Sequence, residues 1–447
     1  MSHRYWQKFY ITMDPMTTKP DSLCMAPWVH TYLSPQTERR ICCASREPAQ
    51  NFQQYIDTHA GTGEYIPITL DKHWNGDHMR DVRRRMMAGA TLSECDVCNN
   101  KLLNTDVYRE YFWHLFKHRY DEIWATTDSD GHTTMQPVSW DYRFSNLCNF
   151  KCRMCGDMLS SSWESEQRQY QMINWNDSKN NWMKPDVREQ ISKFQDTQVE
   201  QEFALAVEQH RVEEIYWVGG EPLMYEQHWR YMKRIIELGD GPNVYARYNT
   251  NLSRIHYRDC DLFKDILQYI RDWQICASLD GTGETGEYIR TGLDYTRWLE
   301  NFKQGLAYQT HPRQMRIDFT LTLPGMTEVA AIERLCQELH VALLAKVVFS
   351  FSPDIIMSPL ALPRHLLDPW LDELIVQSTV PTMRNLLIEL KSKPCYEEQY
   401  SAEQYQQGLA KGKQRVLKLE SIRTCKTSMS QILQQRPQVH DWWKSID

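Results

Sequence analysis

The chain has 447 residues, more than one hydrophobic core usually holds, so two or three cooperating units are expected. Hydrophobic residues make up 41% of the sequence, enough for a sizeable core, and the net charge of −7 argues against a general nucleic-acid binder. The sequence shows no run of the roughly 20 apolar residues that span a bilayer and no secretory signal pattern. We therefore expect a cytoplasmic protein without a membrane segment.

The distribution of the thirteen cysteines is informative. Their odd number and the expected reducing compartment argue against a disulfide framework. Seven of them are closely spaced, which indicates metal ligation, whereas the scattered ones resemble ordinary buried small residues. The closely spaced cysteines are Cys42 and Cys43, Cys95 and Cys98, and Cys148, Cys152 and Cys155.

From about residue 137 onward, short β-rich runs alternate with helical patterns. This alternation predicts an α/β fold with right-handed βαβ units and a parallel sheet. Six strands are too few for the usual closed eight-stranded barrel, so a partial (β/α)6 barrel is expected. The predicted strands are 138–145, 214–218, 244–250, 274–280, 315–323 and 344–351. The predicted helices between them include 226–238, 260–272, 295–309 and 327–340.

The sequence divides into three predicted regions. Residues 1–125 form a cysteine-rich N-terminal domain, 137–352 the partial barrel, and 353–447 a helical C-terminal region. The first crossover, 160–211, is too long for one helix and is interpreted as an insertion.

A cysteine triplet follows the first predicted barrel strand, in the segment SNLCNFKCRMC. Its C-x3-C-x2-C spacing puts Cys148, Cys152 and Cys155 on one short loop. Iron–sulfur clusters usually take four protein thiolates, so three would leave one iron open to another ligand. Zinc is the alternative, but it usually needs a fourth residue close by, and none is near in sequence.

Polar or glycine-rich segments follow several other predicted strands. In parallel α/β folds the functional sites form at the carboxyl ends of the strands, where these segments would meet. The segments are WVGGEPLM, YNTNLS, ASLDGTGETGEYIR and TLTLPGM. A set of such endings after a cysteine loop is harder to explain as turns than a lone Gly-Gly would be.

Together, CNFKCRMC, GGEP, YNTN and SLDGTGETGEYIR resemble the core of the radical S-adenosylmethionine (SAM) superfamily, over about residues 139–351. The resemblance implies that the cysteine triplet binds a [4Fe–4S] cluster and that SAM chelates the fourth iron. It also implies a SAM-binding set. That set is Gly219, Gly220 and Glu221 at the methionyl amino group, Asn249, Ser278, Asp280 and Arg290 near the ribose or carboxylate, and Met154 near adenine. Met154 stands where the superfamily commonly has an aromatic residue.

The resemblance further implies a reaction. The reduced cluster gives one electron to SAM, and the resulting 5′-deoxyadenosyl radical abstracts a hydrogen atom from a substrate. Such enzymes take their electron from a donor such as flavodoxin or ferredoxin. The sequence identifies no catalytic residue beyond those that hold the cofactors.

The N-terminal cysteines predict a second metal site. The segment LCMAPWVHTYLSPQTERRICCAS reads as two strands around a turn, which would bring Cys24 close to Cys42 and Cys43. Because adjacent side chains diverge, only one of that pair is expected to bind, and we choose Cys43, with Cys95 and Cys98 completing the set. The arrangement resembles the SPASM and twitch accessory domains, which implies an auxiliary iron–sulfur cluster, with zinc as the alternative. Here the unit precedes the barrel, whereas in those families it usually follows it.

Three functions remain open from the sequence. The first is an enzyme that modifies a peptide or protein side chain, and the second is an enzyme acting on a nucleotide or small metabolite. The third is a non-catalytic iron–sulfur or zinc scaffold, which the GGEP and SLDG segments disfavour because a scaffold needs no SAM pocket.

Overall fold

A computed structural model of the protein describes residues 22–45, 65, 67–100, 108–348 and 356–447. Its centre is a mostly parallel sheet with the strand order β10-β9-β8-β5-β4-β3-β1-β2, and β6 and β7 form a separate hairpin. The strands are β1 (His30–Leu33), β2 (Arg39–Arg40), β3 (Ser139–Tyr142), β4 (Glu214–Trp217), β5 (Tyr245–Thr250), β6 (His256–Tyr257), β7 (Cys260–Asp261), β8 (Asp272–Ser278), β9 (Met315–Leu321) and β10 (Ala342–Val347).

Helices cover the outer side of this sheet and form the C-terminal region. In chain order they are α1 (Ala26–Val29), α2 (Leu70–Trp74), α3 (Asp77–Met87), α4 (Asp96–Asn99), α5 (Tyr108–Phe116), α6 (Tyr120–Thr126), α7 (Ser161–Gln169), α8 (Pro185–Phe194), α9 (Glu200–Glu208), α10 (Glu226–Glu237), α11 (Gly283–Ile289), α12 (Tyr295–Tyr308), α13 (Val329–Leu339), α14 (Arg364–Gln377), α15 (Pro381–Ser392), α16 (Tyr396–Gln399), α17 (Ala402–Ile422), α18 (Met429–Leu433) and α19 (Pro437–Ser445).

The six predicted barrel strands are confirmed, and consecutive ones pair in parallel. Strand β10 begins at Ala342, two residues before the start of the predicted strand 344–351. Residues 349–351 of that prediction lie outside the described ranges. Among the described residues, the edge strands β10 and β2 are not paired with each other, so the sheet is open, although it has eight strands because β1 and β2 add to the six predicted ones.

The two faces of the sheet differ in chemistry, because successive side chains of a strand point to opposite sides. On the outer face, Trp140, Trp217 and Phe319 are buried in the main apolar core. On the inner face the register aligns Glu214 with Tyr245 and Tyr216 with Arg247, so polar and charged side chains of neighbouring strands lie side by side. The barrel interior is therefore polar, and the apolar layer lies between sheet and helices.

The N-terminal unit is joined to the barrel more closely than the sequence indicates. Strand β1 pairs in parallel with β3, with His30 opposite Ser139 and Leu33 opposite Tyr142, and β2 returns antiparallel beside it. The two predicted N-terminal strands thus exist, but they extend the barrel sheet. A strand of four residues is too short to show a periodic sequence pattern, so the sequence does not predict this pairing. The three-part division at residues 125, 137 and 352 stays a prediction.

Two predictions about helices have different outcomes. The insertion between β3 and β4 contains α7, α8 and α9, as the length of that crossover predicts. The regular helix predicted over 260–272 is wrong: β7 is followed there by one π-helical and one 3₁₀ turn. The Asp261 carboxylate accepts hydrogen bonds from the backbone N–H groups of Phe263 and Lys264 (2.8 and 2.7 Å), which caps this short turn.

The C-terminal helices are packed on the barrel. Their apolar side chains, including Leu386 and Trp443, belong to the same core as the outer face of the sheet, and Thr382 donates to the Leu343 carbonyl oxygen of β10 (3.1 Å). The N-terminal unit has a second core around Trp28, Met79 and Phe112. In the described part of the chain, no helix combines the length and the apolar character needed to cross a membrane.

Candidate cofactor site at the cysteine loop

The cysteine triplet lies on a loop that begins directly after β3. Its backbone pairs with the end of α11: the Lys151 N–H donates to the Thr291 carbonyl and the Arg153 N–H to the Ile289 carbonyl, both at 2.8 Å. A turn closes the loop through the Cys155 N–H and the Cys152 carbonyl (3.0 Å). These backbone bonds fix the path of the loop.

The start of α7 holds the same loop from the other side. Ser162 donates to the Cys148 carbonyl (2.7 Å), and the Cys148 N–H donates to the Ser161 hydroxyl (3.1 Å). Ser160 caps the helix by accepting from the Trp163 N–H, and the Trp163 indole donates to the Cys152 carbonyl (2.8 Å). The loop is therefore held by side chains that follow it closely in sequence.

The three thiols lie close enough to influence one another electrostatically. Burial raises the pKa of each, to about 12 for Cys155, and the charge of Cys152 raises the pKa of Cys148 and Cys155 further. A thiolate, the form that binds iron, is thus unfavourable here unless a positive charge accompanies it. Bound metal ions supply such a charge, and they deprotonate coordinating thiols outright.

The predicted Gly219–Gly220–Glu221 turn lies against the cysteine loop. A Cβ atom on Gly220 would come within 2.2 Å of the Leu147 carbonyl oxygen, and Gly219 has a φ of +125°, which favours glycine. The Glu221 N–H donates to the Leu147 carbonyl (2.7 Å). The two glycines therefore allow the end of β4 to touch the loop residue before Cys148.

The Glu221 carboxylate is buried and fully engaged. It accepts hydrogen bonds from the Thr250 hydroxyl (2.6 Å) and from the backbone N–H groups of Asn251 (2.7 Å) and Leu223 (3.1 Å). Burial raises its pKa to about 7. Glu221 thus ties the ends of β4 and β5 together, and its predicted contact with the methionyl amino group stays a prediction.

Asp280 and Arg290 link the end of β8 to the thiols. Asp280 accepts from the Thr320 N–H (2.7 Å) and forms an ion pair with Arg290, whose Nε lies 2.7 Å from Oδ2. The Arg290 guanidinium also donates to the Cys152 sulfur (3.8 Å). Asp280 is fully buried, so it orients Arg290 toward the cysteine loop.

Asn249 and Ser278 lie on the inner face of the barrel. The Asn249 amide donates to the Cys276 carbonyl (3.1 Å) and to the Asp318 carboxylate (2.9 Å), and the Ser278 hydroxyl lies 3.5 Å from the Asn249 amide. Asp318 also accepts from Lys346 (2.8 Å). The structure therefore groups the predicted Asn249 and Ser278 with a buried ion pair that the sequence did not single out.

Met154, the predicted adenine contact, is half-buried and packs against the edge of the main core beside Cys148 and Cys155. It lies on the cysteine loop, which agrees with a place near the cofactors. The structure adds nothing that identifies adenine as its partner.

The C-terminal region contributes residues that sequence reasoning missed. The buried Arg423 forms an ion pair with Glu166 (2.5 Å), donates to the Lys151 carbonyl (2.9 Å) and stacks over the Trp163 ring at 4.4 Å. Arg423 thereby holds the carbonyl just before Cys152. It is separated from that loop by 272 positions, and no local motif surrounds it, so the sequence offers no signal for this contact.

Four N-terminal cysteines line one small pocket: Cys24, Cys42, Cys95 and Cys98. Burial raises the pKa of Cys42, and the charges of Cys43, Cys24 and Cys98 raise it further, which shows how near these thiols are. The sequence had selected Cys43 in place of Cys42. The structure places Cys42 in the pocket lining, whereas Cys43 adjoins Tyr108, Asp141 and Arg143; which of the two binds a metal stays a prediction.

The cysteine loop fits an iron–sulfur cluster, and the choice between a cluster and zinc in the N-terminal pocket stays a prediction. Within the described ranges, no three His, Cys, Asp or Glu side chains converge tightly enough to hold one metal ion. A cubane cluster takes each thiolate at a different iron, so its ligands stand apart by necessity. Three mutually interacting thiols on one loop, which the glycine turn at the end of β4 contacts, fit such a group.

Comparisons with known proteins agree with this geometry. The family model described as the radical SAM superfamily matches residues 142–336, which contain the cysteine loop and strands β4 to β9. No curated protein sequence matches the chain.

Two solved structures are similar to the chain, both of SuiB from Streptococcus suis. The one bound to precursor peptide SuiA has 15% identity and a TM-score of 0.31, covering 54% of this chain and 46% of that chain. The one bound to S-adenosylmethionine has 14% identity and a TM-score of 0.32, covering 64% and 63%. The chain thus spans less than two thirds of each SuiB chain. Residues 142–336 of this chain thus match the radical SAM superfamily.

Proposed function

We propose that the protein cleaves SAM reductively at a [4Fe–4S] cluster held by Cys148, Cys152 and Cys155. The observation that carries this proposal is the position of the three thiols. They lie on one loop at the carboxyl end of β3, against the glycine turn that ends β4. When bound, the cluster supplies the electron that breaks the S–C5′ bond of SAM and releases a 5′-deoxyadenosyl radical.

The residues around the loop have distinct roles in this proposal. Gly219 and Gly220 let the end of β4 lie against the residue before Cys148, so that this turn would line the methionyl amino group of SAM. Arg290 holds a positive charge 3.8 Å from the Cys152 sulfur. Arg423 and Trp163 keep the Cys152 backbone in place through the two carbonyls that precede and follow its Cα. Asn249 and Ser278 lie on the inner face, where the ribose or carboxylate of SAM would reach them.

We propose further that the substrate is a peptide or protein side chain. Two observations support a large substrate. Among the described residues, the edge strands β2 and β10 are not paired with each other, so the sheet is not closed there. Its inner face carries paired charges such as Lys346 with Asp318 and Arg143 with Asp141, which suit the mixed hydrogen bonding of a polypeptide. A nucleotide or small metabolite is the alternative.

The N-terminal pocket completes the proposal. Its four thiols Cys24, Cys42, Cys95 and Cys98 are the number that an iron–sulfur cluster usually takes from a protein. We assign an auxiliary cluster to this pocket, with zinc as the competing outcome of the test.

The test is anaerobic incubation of the reconstituted protein with SAM and dithionite, followed by quantification of 5′-deoxyadenosine and methionine. The parent protein should form both in equal amounts, and the variant with Cys148, Cys152 and Cys155 all changed to Ala should form neither. Cleavage by that variant would overturn the cluster assignment.

The substrate class is tested in the same assay. Added peptides should raise 5′-deoxyadenosine formation and show a mass change by mass spectrometry, whereas nucleotides and small metabolites should do neither. A mass change confined to a small molecule would favour the alternative.

A further inference from the structure

A basic cavity lies beside the cysteine loop, outside the residues assigned to SAM. It has a volume of about 400 Å³ and is lined by Arg254, Ile255, His256, Tyr257, Arg258, Arg297 and Asn301. These seven include three arginines and a histidine and no carboxylate. Such a concentration of positive charge contrasts with the net charge of −7 of the whole chain.

The cavity is formed by the β6–β7 hairpin and by α12. His256 forms an ion pair with Asp261 across the hairpin (2.9 Å), and Arg258 lies 3.8 Å from Glu226. His256 and Arg258 remain 60% and 72% exposed, so a large partner can reach them. Arg297, on the first turn of α12, is also exposed.

The wall of this cavity is connected to Cys148 by a short chain of contacts. Ser253, the residue before Arg254, accepts a hydrogen bond from the Asn149 side chain (3.0 Å). The Asn251 amide donates to Asn149 (3.0 Å) and also to the Cys148 sulfur (3.9 Å). The side chains of Asn149 and Asn251 therefore connect the cavity wall to Cys148, a proposed cluster ligand.

We propose that this basic cavity is the docking site of an acidic protein that donates electrons to the cluster. The inference rests on the proposed function, because a donor that docks here needs a cluster at Cys148 to accept its electron. One electron leaves the reduced donor and one enters the sulfonium of SAM, whose S–C5′ bond breaks to give methionine and the deoxyadenosyl radical.

Charge explains why the donor would bind here. An acidic protein is repelled by the net negative charge of this chain, so a local cluster of arginines sets both its encounter rate and its orientation. Exposed guanidinium groups also form bidentate hydrogen bonds with carboxylates. Because such surface attraction is screened by salt, the interaction should weaken as ionic strength rises.

The experiment compares two electron sources in SAM cleavage: reduced flavodoxin, an acidic donor, and dithionite. The test variant carries Arg258→Gln with Arg297→Gln, and its control carries Arg84→Gln with Arg234→Gln, exposed arginines of other surfaces. The test variant should need about tenfold more flavodoxin for half-maximal rate than the parent. The control variant should match the parent, and the dithionite-driven rate should be the same in all three.

Direct binding gives a second readout that needs no SAM. Flavodoxin affinity, measured anaerobically by calorimetry at two salt concentrations, should fall in the test variant and become less salt-dependent. Equal flavodoxin dependence in the test and control variants would overturn the docking site. A dithionite-driven rate that falls with the flavodoxin-driven rate would also overturn it, by showing a structural role. If the parent cleaves no SAM with dithionite, the proposed function itself fails and the docking site with it.

Discussion

The two cysteine-bearing regions are built in different ways. The barrel loop places Cys148, Cys152 and Cys155 within eight residues and holds them by hydrogen bonds from α7, α11 and the C-terminal Arg423. The N-terminal pocket collects cysteines from positions more than seventy residues apart inside an apolar core.

This difference determines how much of each region the sequence alone predicts. In the barrel loop the proposed ligands are close together in sequence, so their spacing alone suggests them. Of the residues that hold the loop, Ser161, Ser162 and Trp163 follow it closely, whereas Arg423 comes from 272 positions away. In the N-terminal unit the ligands themselves are distant, so the local pattern shows two candidates at Cys42 and Cys43. The fold places Cys42 in the pocket lining, which is the basis for proposing it as the ligand.

The largest effect is expected at the glycine turn. Gly220→Ala would place a Cβ atom 2.2 Å from the Leu147 carbonyl oxygen, so backbone must shift at the cysteine loop. Gly156→Ala is the matched control, because this glycine has open space around it and an extended φ of −142°. We expect Gly220→Ala to lower SAM cleavage by about a hundredfold, as misplacement by about 1 Å can. SAM cleavage by the Gly156→Ala control should stay within about twofold of the parent. An equal loss of cleavage in both variants would contradict a close contact between Gly220 and the cysteine loop.

The next prediction separates the two adjacent N-terminal cysteines. Cys42→Ala should lower the bound iron from about eight to about four atoms per chain, because it removes a ligand of the auxiliary cluster. Cys43→Ala should leave the iron content unchanged. Elemental analysis after anaerobic reconstitution measures both. A loss of iron only in Cys43→Ala would favour Cys43, the ligand expected from the sequence. About one zinc and about four irons per chain in the parent protein would show that the N-terminal pocket binds zinc instead of a cluster.

The smallest expected effect concerns the ion pair between Arg423 of the C-terminal region and Glu166. Burial alone would raise the pKa of Glu166, but hydrogen bonds from Arg423 and Lys151 hold it below its usual value. A carboxyl whose pKa is lower in the folded state stabilises the protein above its unfolded pKa, and that stability is lost as pH falls through the folded pKa. Arg423→Gln should therefore cost about 3 kcal/mol of unfolding free energy at pH 7, and less as the pH falls below about 4.

Urea unfolding of the cluster-free protein at several pH values measures this dependence. Arg423→Lys keeps the charge and should retain part of the stability at pH 7. A cost of Arg423→Gln that is the same at pH 7 and below pH 4 would show that packing on Trp163, rather than the ion pair, is the source of stability.

Much of the barrel could be predicted from the sequence, because its strands are buried runs and its ligands follow strand ends. The regular helix expected at 260–272 is wrong because β7 takes its first two residues and a π-helical and a 3₁₀ turn follow, which the sequence periodicity does not distinguish from an α-helix. The parallel pairing of β1 with β3 and the contacts of Arg423 were unpredictable for another reason. Both join segments more than a hundred residues apart, which no local pattern encodes.

The central claim is that the three barrel thiols leave one iron of a cluster open to SAM. The most direct measurement is electron paramagnetic resonance of the dithionite-reduced Cys42→Ala variant, in which the barrel cluster is the one expected to remain. Addition of SAM should change the spectrum, because SAM replaces the ligand of the open iron. A spectrum unchanged by saturating SAM would contradict the account.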